Sequence, residues 1–211
     1  MSQVQETKIV NADPTALGVF GLSLVTFVAS SSKLGWTHAN PAHLMPWALC
    51  LGSFAQLWAA AIDFKRNSYF GAIVLGVFGL FWMAVTFVWA ISAGFFGFEI
   101  LQETVQKGPD IRQFAYACFG FLIFCCFITV TAFECNKVFG VILVLILVLL
   151  ASLGLQLLGY NKDLFGPLAG WSEFAISMLG FYAAGAIYLN TFFGRQILPL
   201  GKPMGWVKKA T

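Results

Sequence analysis

The sequence contains few charged residues, and this scarcity excludes most classes of soluble protein. Charged residues make up 10% of the 211 residues and hydrophobic residues 59%, whereas a typical soluble domain is about 25% charged. The formal net charge of +3 is too small to indicate a nucleic-acid partner. The chain therefore lacks the polar surface that a water-soluble protein of this length needs.

Cysteine and histidine are also sparse, and their positions predict neither a disulfide framework nor a metal centre. The five cysteines lie in apolar runs or at their edges, and the adjacent Cys125 and Cys126 lack the spacing of metal ligands. His38 and His43 share one short loop, which is too few ligands for a metal or a haem. No nucleophile with a base in reach is visible either. We therefore expect no metal, no cofactor and no enzymatic activity.

Apolar runs are what the sequence has in abundance. Six of them are each long enough for the roughly 20 residues that a membrane helix requires, at residues 16–32, 43–62, 70–91, 113–133, 138–158 and 169–193. This pattern predicts an all-α membrane protein, a bundle of six transmembrane helices. An N-terminal tail at 1–13 and a C-terminal tail at 202–211 would flank a transmembrane domain at 14–201.

The distribution of basic residues predicts how the chain is oriented. Of the 12 lysines and arginines, eight fall on the side of the two termini and four on the opposite side. Positive residues are enriched in cytoplasmic loops. We therefore expect a multi-pass protein of the cell membrane with both termini in the cytoplasm.

No lysine, arginine or aspartate lies near the middle of a predicted span. This disfavours a retinal Schiff base, a voltage sensor and a pump-like carboxylate relay. Asp63 and Glu173 lie near span ends, and we interpret them as interface charges in preference to proton carriers. Gln56 is different, because a buried amide must find a partner or a water. It could line a polar path or bond a neighbouring helix, and an uncharged bundle of this kind suits passage of a small solute.

Three stretches carry a resemblance to a known family. Residues 13–19 read D-P-T-A-L-G-V, similar to an N-P-A-P-L-G-L signature. Residues 55–82 contain A-Q … D-F … N-S-Y-F-G … F-W, which looks like an A-Q … E-Y … N-T-F-G … F-W pattern. A-G-W at 169–171 and F-G-R … L-P-L-G at 193–201 complete the set. In this order and spacing, the motifs resemble the acetate uptake transporter family, which includes prokaryotic succinate–acetate permeases and fungal acetate permeases.

This resemblance implies a six-helix protomer that assembles into a homohexamer among membrane lipids. It also implies a conduction path through each protomer for acetate, with succinate and other short carboxylates as further candidates. Family members have been described as anion channels and as proton-coupled symporters, and both mechanisms remain open for this chain. A channel for a small neutral solute such as urea or a short amide is the alternative. A non-transporting membrane scaffold is a third reading.

The resemblance also implies particular site residues. The family's narrowest point is formed by apolar side chains of spans one, three and five, which match Leu22, Phe78 and Ile146 here, where the family pattern has Phe, Tyr and Leu. The substrate-binding candidates are Gln56, Gly180, Tyr182, Pro14, Leu17 and Gly18. Gly180 matches a small position of span six that affects substrate choice.

Two signature positions depart from the family pattern, because Asp13 stands in place of Asn and Ala16 in place of Pro. A carboxylate near the path of an anion repels it. We expect Asp13 instead to cap the first helix, where the N-terminal amides would offset its charge.

Overall fold

The computed structural model describes residues 12–95 and 110–207. Those residues contain six helices long and apolar enough to cross a membrane and no strand. They are α1 (Thr15–Lys33), α2 (Pro41–Lys65), α3 (Tyr69–Ser92), α4 (Arg112–Cys135), α5 (Lys137–Leu157) and α6 (Lys162–Phe193). The predicted bundle of six transmembrane helices is confirmed, and the chain is a multi-pass membrane protein. Residues 1–11 and 208–211 of the predicted tails lie outside the described residues.

Helix α6 begins seven residues earlier than the hydropathy pattern indicates, at Lys162 instead of 169. Asn161 caps it by accepting a hydrogen bond from the Leu164 N–H at 3.2 Å, and Asp163 lies in the first turn. Both features favour a helix start, since a capping side chain and an early acidic residue satisfy the free N–H groups. Pro167 lies inside the helix and removes one backbone hydrogen bond without ending it.

Helix α2 is not a regular α-helix along its length. A 3₁₀ turn at Pro41–His43 leads into a short α-helical turn at Met45–Trp47 and a π-helical segment at Ala48–Ala55. Regular α-helix resumes at Gln56–Lys65. π-Helical turns inside longer helices are rare and concentrate at functional sites. The π-helical segment of α2 is therefore a candidate for a functional site.

The six helices pack as a ring. Extensive contacts run in the order α3–α2–α1–α6–α5–α4, and α3 meets α4 only sparingly. A groove of about 350 Å³ separates those two helices and is lined mainly by apolar side chains such as Phe81, Val88 and Phe121. Helices α1, α3 and α5 are therefore alternate members of the ring.

Small residues allow the helices to approach closely. A Cβ at Gly180 of α6 would collide with the Ser23 hydroxyl of α1, and a Cβ at Gly21 would collide with the Leu51 carbonyl of α2. A Cβ at Gly79 of α3 would lie 2.8 Å from the Leu57 side chain. Because lipid offers no hydrophobic force between helices, such close approaches replace it with packing contacts.

The segment after α6 folds back onto the bundle. Asn190 accepts hydrogen bonds from the Ile197 and Leu198 N–H groups at 2.6 and 3.0 Å. Further along, Glu134 of α4 accepts the N–H groups of Gly205, Trp206 and Val207. Residues 197 and 198 are thus fastened to the end of α6, and the described part of the predicted C-terminal tail is fastened to the end of α4.

Candidate functional site

The three predicted constriction residues are all buried. Leu22 is 8% exposed on α1, while Phe78 on α3 and Ile146 on α5 are each 3% exposed. Phe78 and Ile146 belong to one continuous apolar core. The three side chains come from alternate helices of the ring, an arrangement that suits convergence on one axis. Closure of a single path by these residues stays a prediction.

The irregular segment of α2 lies at the same depth as two of these residues. Gly21, next to Leu22, contacts the Leu51 carbonyl and lies within van der Waals reach of Ala55. Gly79, next to Phe78, packs against Leu57. The stretch from 51 to 57, which includes Gln56, is therefore level with the predicted constriction.

Gln56 is fully buried and only partly hydrogen bonded. Its Nε2 donates to the Gly52 carbonyl of its own helix at 2.7 Å. Its Oε1 makes no hydrogen bond within the described parts of the chain. The sequence left open whether Gln56 lines a polar path or bonds a neighbouring helix. Among the described residues, the amide bonds its own helix and not a neighbouring one. Its role in a polar path stays a prediction.

The signature at the start of α1 divides into buried and exposed residues. Pro14 is buried at the first turn, and Gly18 packs so closely on α3 that a Cβ there would lie 2.7 Å from Leu75. Leu17 is 43% exposed. Pro14 and Gly18 face the bundle, whereas Leu17 lies on the outer side of the protomer.

The two candidates on α6 occupy different surroundings. Gly180 is buried at the contact with Ser23 of α1. Tyr182 is 37% exposed, and its hydroxyl donates to the Pro199 carbonyl at 2.7 Å. The Tyr182 hydroxyl therefore fastens the C-terminal segment, and its predicted contact with substrate has no support in this geometry.

An arginine and two carboxylates form a charged cluster where α1 begins and α2 ends. Arg66 Nη1 lies 3.0 Å from Asp13 Oδ1 and 3.1 Å from Asp63 Oδ1. Asp13 Oδ1 also accepts the Thr15 N–H at 2.9 Å. Asp13 thus binds the first N–H of the helix, as expected of a capping carboxylate, and additionally an arginine that sequence reasoning did not pair with it. Local sequence offers no signal for that pairing.

Hydrogen bonding keeps Asp13 ionised. Burial favours the neutral acid, but hydrogen bonds from Arg66 and from both the hydroxyl and the N–H of Thr15 outweigh it, so the pKa of Asp13 lies below its ordinary value of 3.8. The hydrogen bond with Asp13 correspondingly raises the pKa of Arg66. With one cation and two carboxylates, this cluster carries a net charge of −1.

A second ion pair lies at the opposite end of α1. Lys33 Nζ is 2.6 Å from Glu173 Oε2 of α6, and Glu173 is 2% exposed. Nearby in the chain, the rings of Trp36 and Phe174 pack edge to face with centroids 5.2 Å apart. Glu173 and Asp63 are both buried and each is paired with a cation, which their interpretation as interface charges did not specify; that interpretation stays a prediction.

The chain is similar to proteins that are named as transporters. A protein named succinate-acetate/proton symporter SatP from Escherichia coli (strain K12) is 23% identical over 192 residues, which cover 90% of this chain and 96% of that protein. Acetate permease A from Emericella nidulans is 30% identical over 151 residues, covering 70% of this chain and 48% of the permease.

A solved structure and a family model agree with these relatives. The structure described as the bacterial acetate channel SatP superposes with a TM-score of 0.77 at 21% identity and covers 91% of this chain and 100% of that one. This likeness shows that the two proteins share a fold. The family model described as GPR1/FUN34/yaaH matches residues 1–202. This chain of six membrane helices, with its constriction candidates buried and Gln56 level with them, belongs to the GPR1/FUN34/yaaH family.

Proposed function

We propose that the protein transports acetate across the cell membrane through a path in each protomer, with succinate and other short carboxylates as further substrates. It is a transporter or channel and has no catalytic activity. Gln56 and the first turn of α1 around Pro14 and Gly18 contact the substrate, and Leu22, Phe78 and Ile146 form the narrow point. Gly180 keeps α6 close to α1 beside this path.

A carboxylate needs such a path because of its charge. A carboxylic acid with a pKa near 4.3 is neutral in only about one molecule in 500 at pH 7. Moving the anion into hydrocarbon costs tens of kcal/mol in the idealised Born limit. Neutral dipoles beside a short apolar neck can replace part of its water shell.

Gln56 is the observation that carries the proposal. It is a fully buried amide at the depth of the constriction candidates, and its Oε1 has no hydrogen-bond partner among the described residues. An unsatisfied buried polar atom costs about 1–3 kcal/mol, and a ligand that bonds to this amide offsets that cost. The second N–H of the same amide can donate to a carboxylate that passes the neck, while Oε1 can accept from a water that travels with it.

The exposed apolar surface supports the proposed assembly, and the distribution of basic residues supports the proposed orientation. Large apolar side chains such as Trp58, Phe127 and Phe192 are 68%, 69% and 71% exposed, which suits contact with lipid or with other copies. We propose the homohexamer that the family resemblance implies, with both termini in the cytoplasm. The cluster of Asp13, Asp63 and Arg66 then lies at the cytoplasmic mouth, and the Lys33–Glu173 pair at the outer mouth.

Acetate flux into proteoliposomes tests the proposed function. We expect radiolabelled acetate uptake above that of protein-free vesicles, measured with and without an imposed pH gradient. Uptake that follows the proton gradient identifies a symporter, and a current that reverses at acetate's own equilibrium potential identifies a channel. Flux no greater than in empty vesicles would reject the function.

Replacing Asp13 by asparagine should lower the apparent KM for acetate about two- to threefold. A unit charge about 8 Å from the substrate costs an anion ~0.5 kcal/mol in water-like surroundings, and the substitution brings the net charge of the mouth cluster from −1 to 0. Concentration-dependent uptake measures the change. Since the pKa of Asp13 is lowered, the difference persists undiminished from pH 8 to pH 5.

Asp110 provides the matched control for Asp13. It also pairs with an arginine at a helix start, Arg112 at 2.7 Å, but on the opposite side of the bundle. Asp110→Asn should leave the KM unchanged. An equal decrease of KM in both variants would attribute the effect to net charge in general and contradict a role for Asp13 at the mouth.

A further inference from the structure

The segment that follows α6 brings two lysines together at the start of α5. The Val138 N–H donates to the Leu200 carbonyl at 3.2 Å, and a Cβ at Gly201 would lie 2.8 Å from the Lys137 side chain. Lys202 is the next residue along the segment, and consecutive Cα atoms are about 3.8 Å apart. Lys137 and Lys202 are therefore neighbours, although they are far apart in the sequence.

Neither lysine is paired with a carboxylate. Both side chains are exposed, and neither forms an ion pair within the described parts of the chain. Glu134 lies nearby on α4, but its two oxygens accept the N–H groups of residues 205–207. Asp13 and Asp63, on the same side of the bundle, are paired with Arg66. The two ammonium groups thus form a positive patch without a counter-charge of its own.

The same segment also exposes apolar side chains. Met204, Trp206 and Val207 are 41%, 59% and 60% exposed, and they follow the last membrane-spanning helix. The Trp206 ring packs on Phe133 near the end of α4, with centroids 5.2 Å apart. Apolar side chains beside lysines suit the boundary between lipid headgroups and acyl chains, where tryptophan is enriched. We therefore expect this segment to contact the bilayer surface.

The combination of charge and apolar surface selects the partner. An ammonium group only donates hydrogen bonds, and phosphate oxygens accept them. A small soluble anion such as acetate would leave the exposed apolar side chains without a partner. A zwitterionic phospholipid carries its own cation beside the phosphate. An anionic phospholipid supplies both an uncompensated phosphate for the lysines and acyl chains for the apolar side chains.

We propose that Lys137 and Lys202 bind the phosphate of an anionic phospholipid, with Met204 and Trp206 beside its acyl chains. In the proposed orientation, this lipid belongs to the inner leaflet. By contacting both lysines, one headgroup holds the C-terminal segment against the start of α5. This site binds a component of the membrane and does not depend on which solute the protein transports.

Native mass spectrometry of the full chain in detergent tests the proposal. The protein is titrated with phosphatidylglycerol, which is anionic, or with phosphatidylcholine that has the same acyl chains. The wild type should bind phosphatidylglycerol more tightly. Lys137→Gln and Lys202→Gln should each weaken this binding about fivefold, and together about thirtyfold, the effect expected of one and two lysines near an anionic surface. Binding of phosphatidylcholine should be unchanged.

Lys162 provides the matched control for Lys137. Each is the first residue of a membrane helix and follows a capping asparagine, Asn161 or Asn136, but Lys162 lies on the opposite side of the bundle. Lys162→Gln should leave phosphatidylglycerol binding unchanged. Equal affinity of the wild type for both lipids, or equal losses in Lys137→Gln and Lys162→Gln, would overturn the proposal.

A charge-retaining variant separates loss of charge from loss of structure. Lys137→Arg should keep the affinity of the wild type for phosphatidylglycerol, because arginine also supplies a cation to a phosphate. A loss as large as that of Lys137→Gln would contradict the proposed contact. Acetate flux in proteoliposomes is measured separately, so failure of the proposed function and failure of the lipid site are distinguishable.

Discussion

Replacing Phe78 by alanine should raise acetate flux through the protein about tenfold while lowering its stability. Phe78 is 3% exposed and lies on α3 at the depth where α1 and α2 come together. Removing its ring widens the neck, and lowering the barrier by about 1.4 kcal/mol raises a rate tenfold. Uptake of radiolabelled acetate per folded protomer measures the flux. The lost packing should cost about 3–5 kcal/mol, seen as a lower melting temperature.

Phe81→Ala separates widening of the neck from general loosening. Phe81 is also buried on α3, but it packs toward α4, with its ring centroid 4.9 Å from that of Phe121. This variant should lose comparable stability without a gain in flux. If flux through Phe78→Ala equals that of the wild type with folding intact, Phe78 is not part of a gate. Equal gains in both variants would point to nonspecific leakage.

Replacing Arg66 by glutamine should lower the free energy of unfolding by about 3 kcal/mol, because the change leaves a buried carboxylate without its cation. Asp63 is 0% exposed and lies 3.1 Å from Arg66 Nη1. Its other oxygen faces the backbone at Gly71, where an added Cβ would collide with it, so the carboxylate has no room to turn toward water. Thermal unfolding of the solubilised protein measures the loss.

Arg112 offers the comparison for Arg66. It pairs with Asp110 at 2.7 Å, but the two side chains are 67% and 42% exposed, and exposed ion pairs contribute about 0–1 kcal/mol. Arg112→Gln should therefore change the melting temperature little. Similar stability of the two variants would mean that Asp63 is not held as a buried charge by Arg66.

The architecture was largely predictable, because a helix in lipid must satisfy its own backbone hydrogen bonds and therefore shows as a long apolar run. The start of α6 was missed since Lys162, Asp163 and Pro167 resemble a loop in composition, whereas Asn161 caps a helix there. The π-helical segment of α2 was invisible as well. Its residues are as apolar as those of an ordinary span, and hydropathy does not report hydrogen-bond register.

The sequence indicated which residues stand out as site candidates, but it did not indicate which groups they contact. Gln56 stood out because a polar amide in an apolar run is costly. Ser53 did not, since a serine in a membrane helix ordinarily bonds its own backbone, whereas its buried Oγ makes no hydrogen bond among the described residues. The pairing of Lys33 with Glu173 joins residues 140 positions apart, a separation over which a single sequence holds no signal.

By itself, the sequence determined that the chain crosses the membrane six times and that its interior is almost uncharged. Burying a charge in lipid is costly, so membrane spans appear in a sequence as long runs with few charged residues. Only the tertiary structure decided which charges are matched and which polar atoms stay free. Those outcomes depend on how helices distant in the chain approach one another at Gly21, Gly71 and Gly180, and on a local change of helical register that no hydropathy pattern encodes.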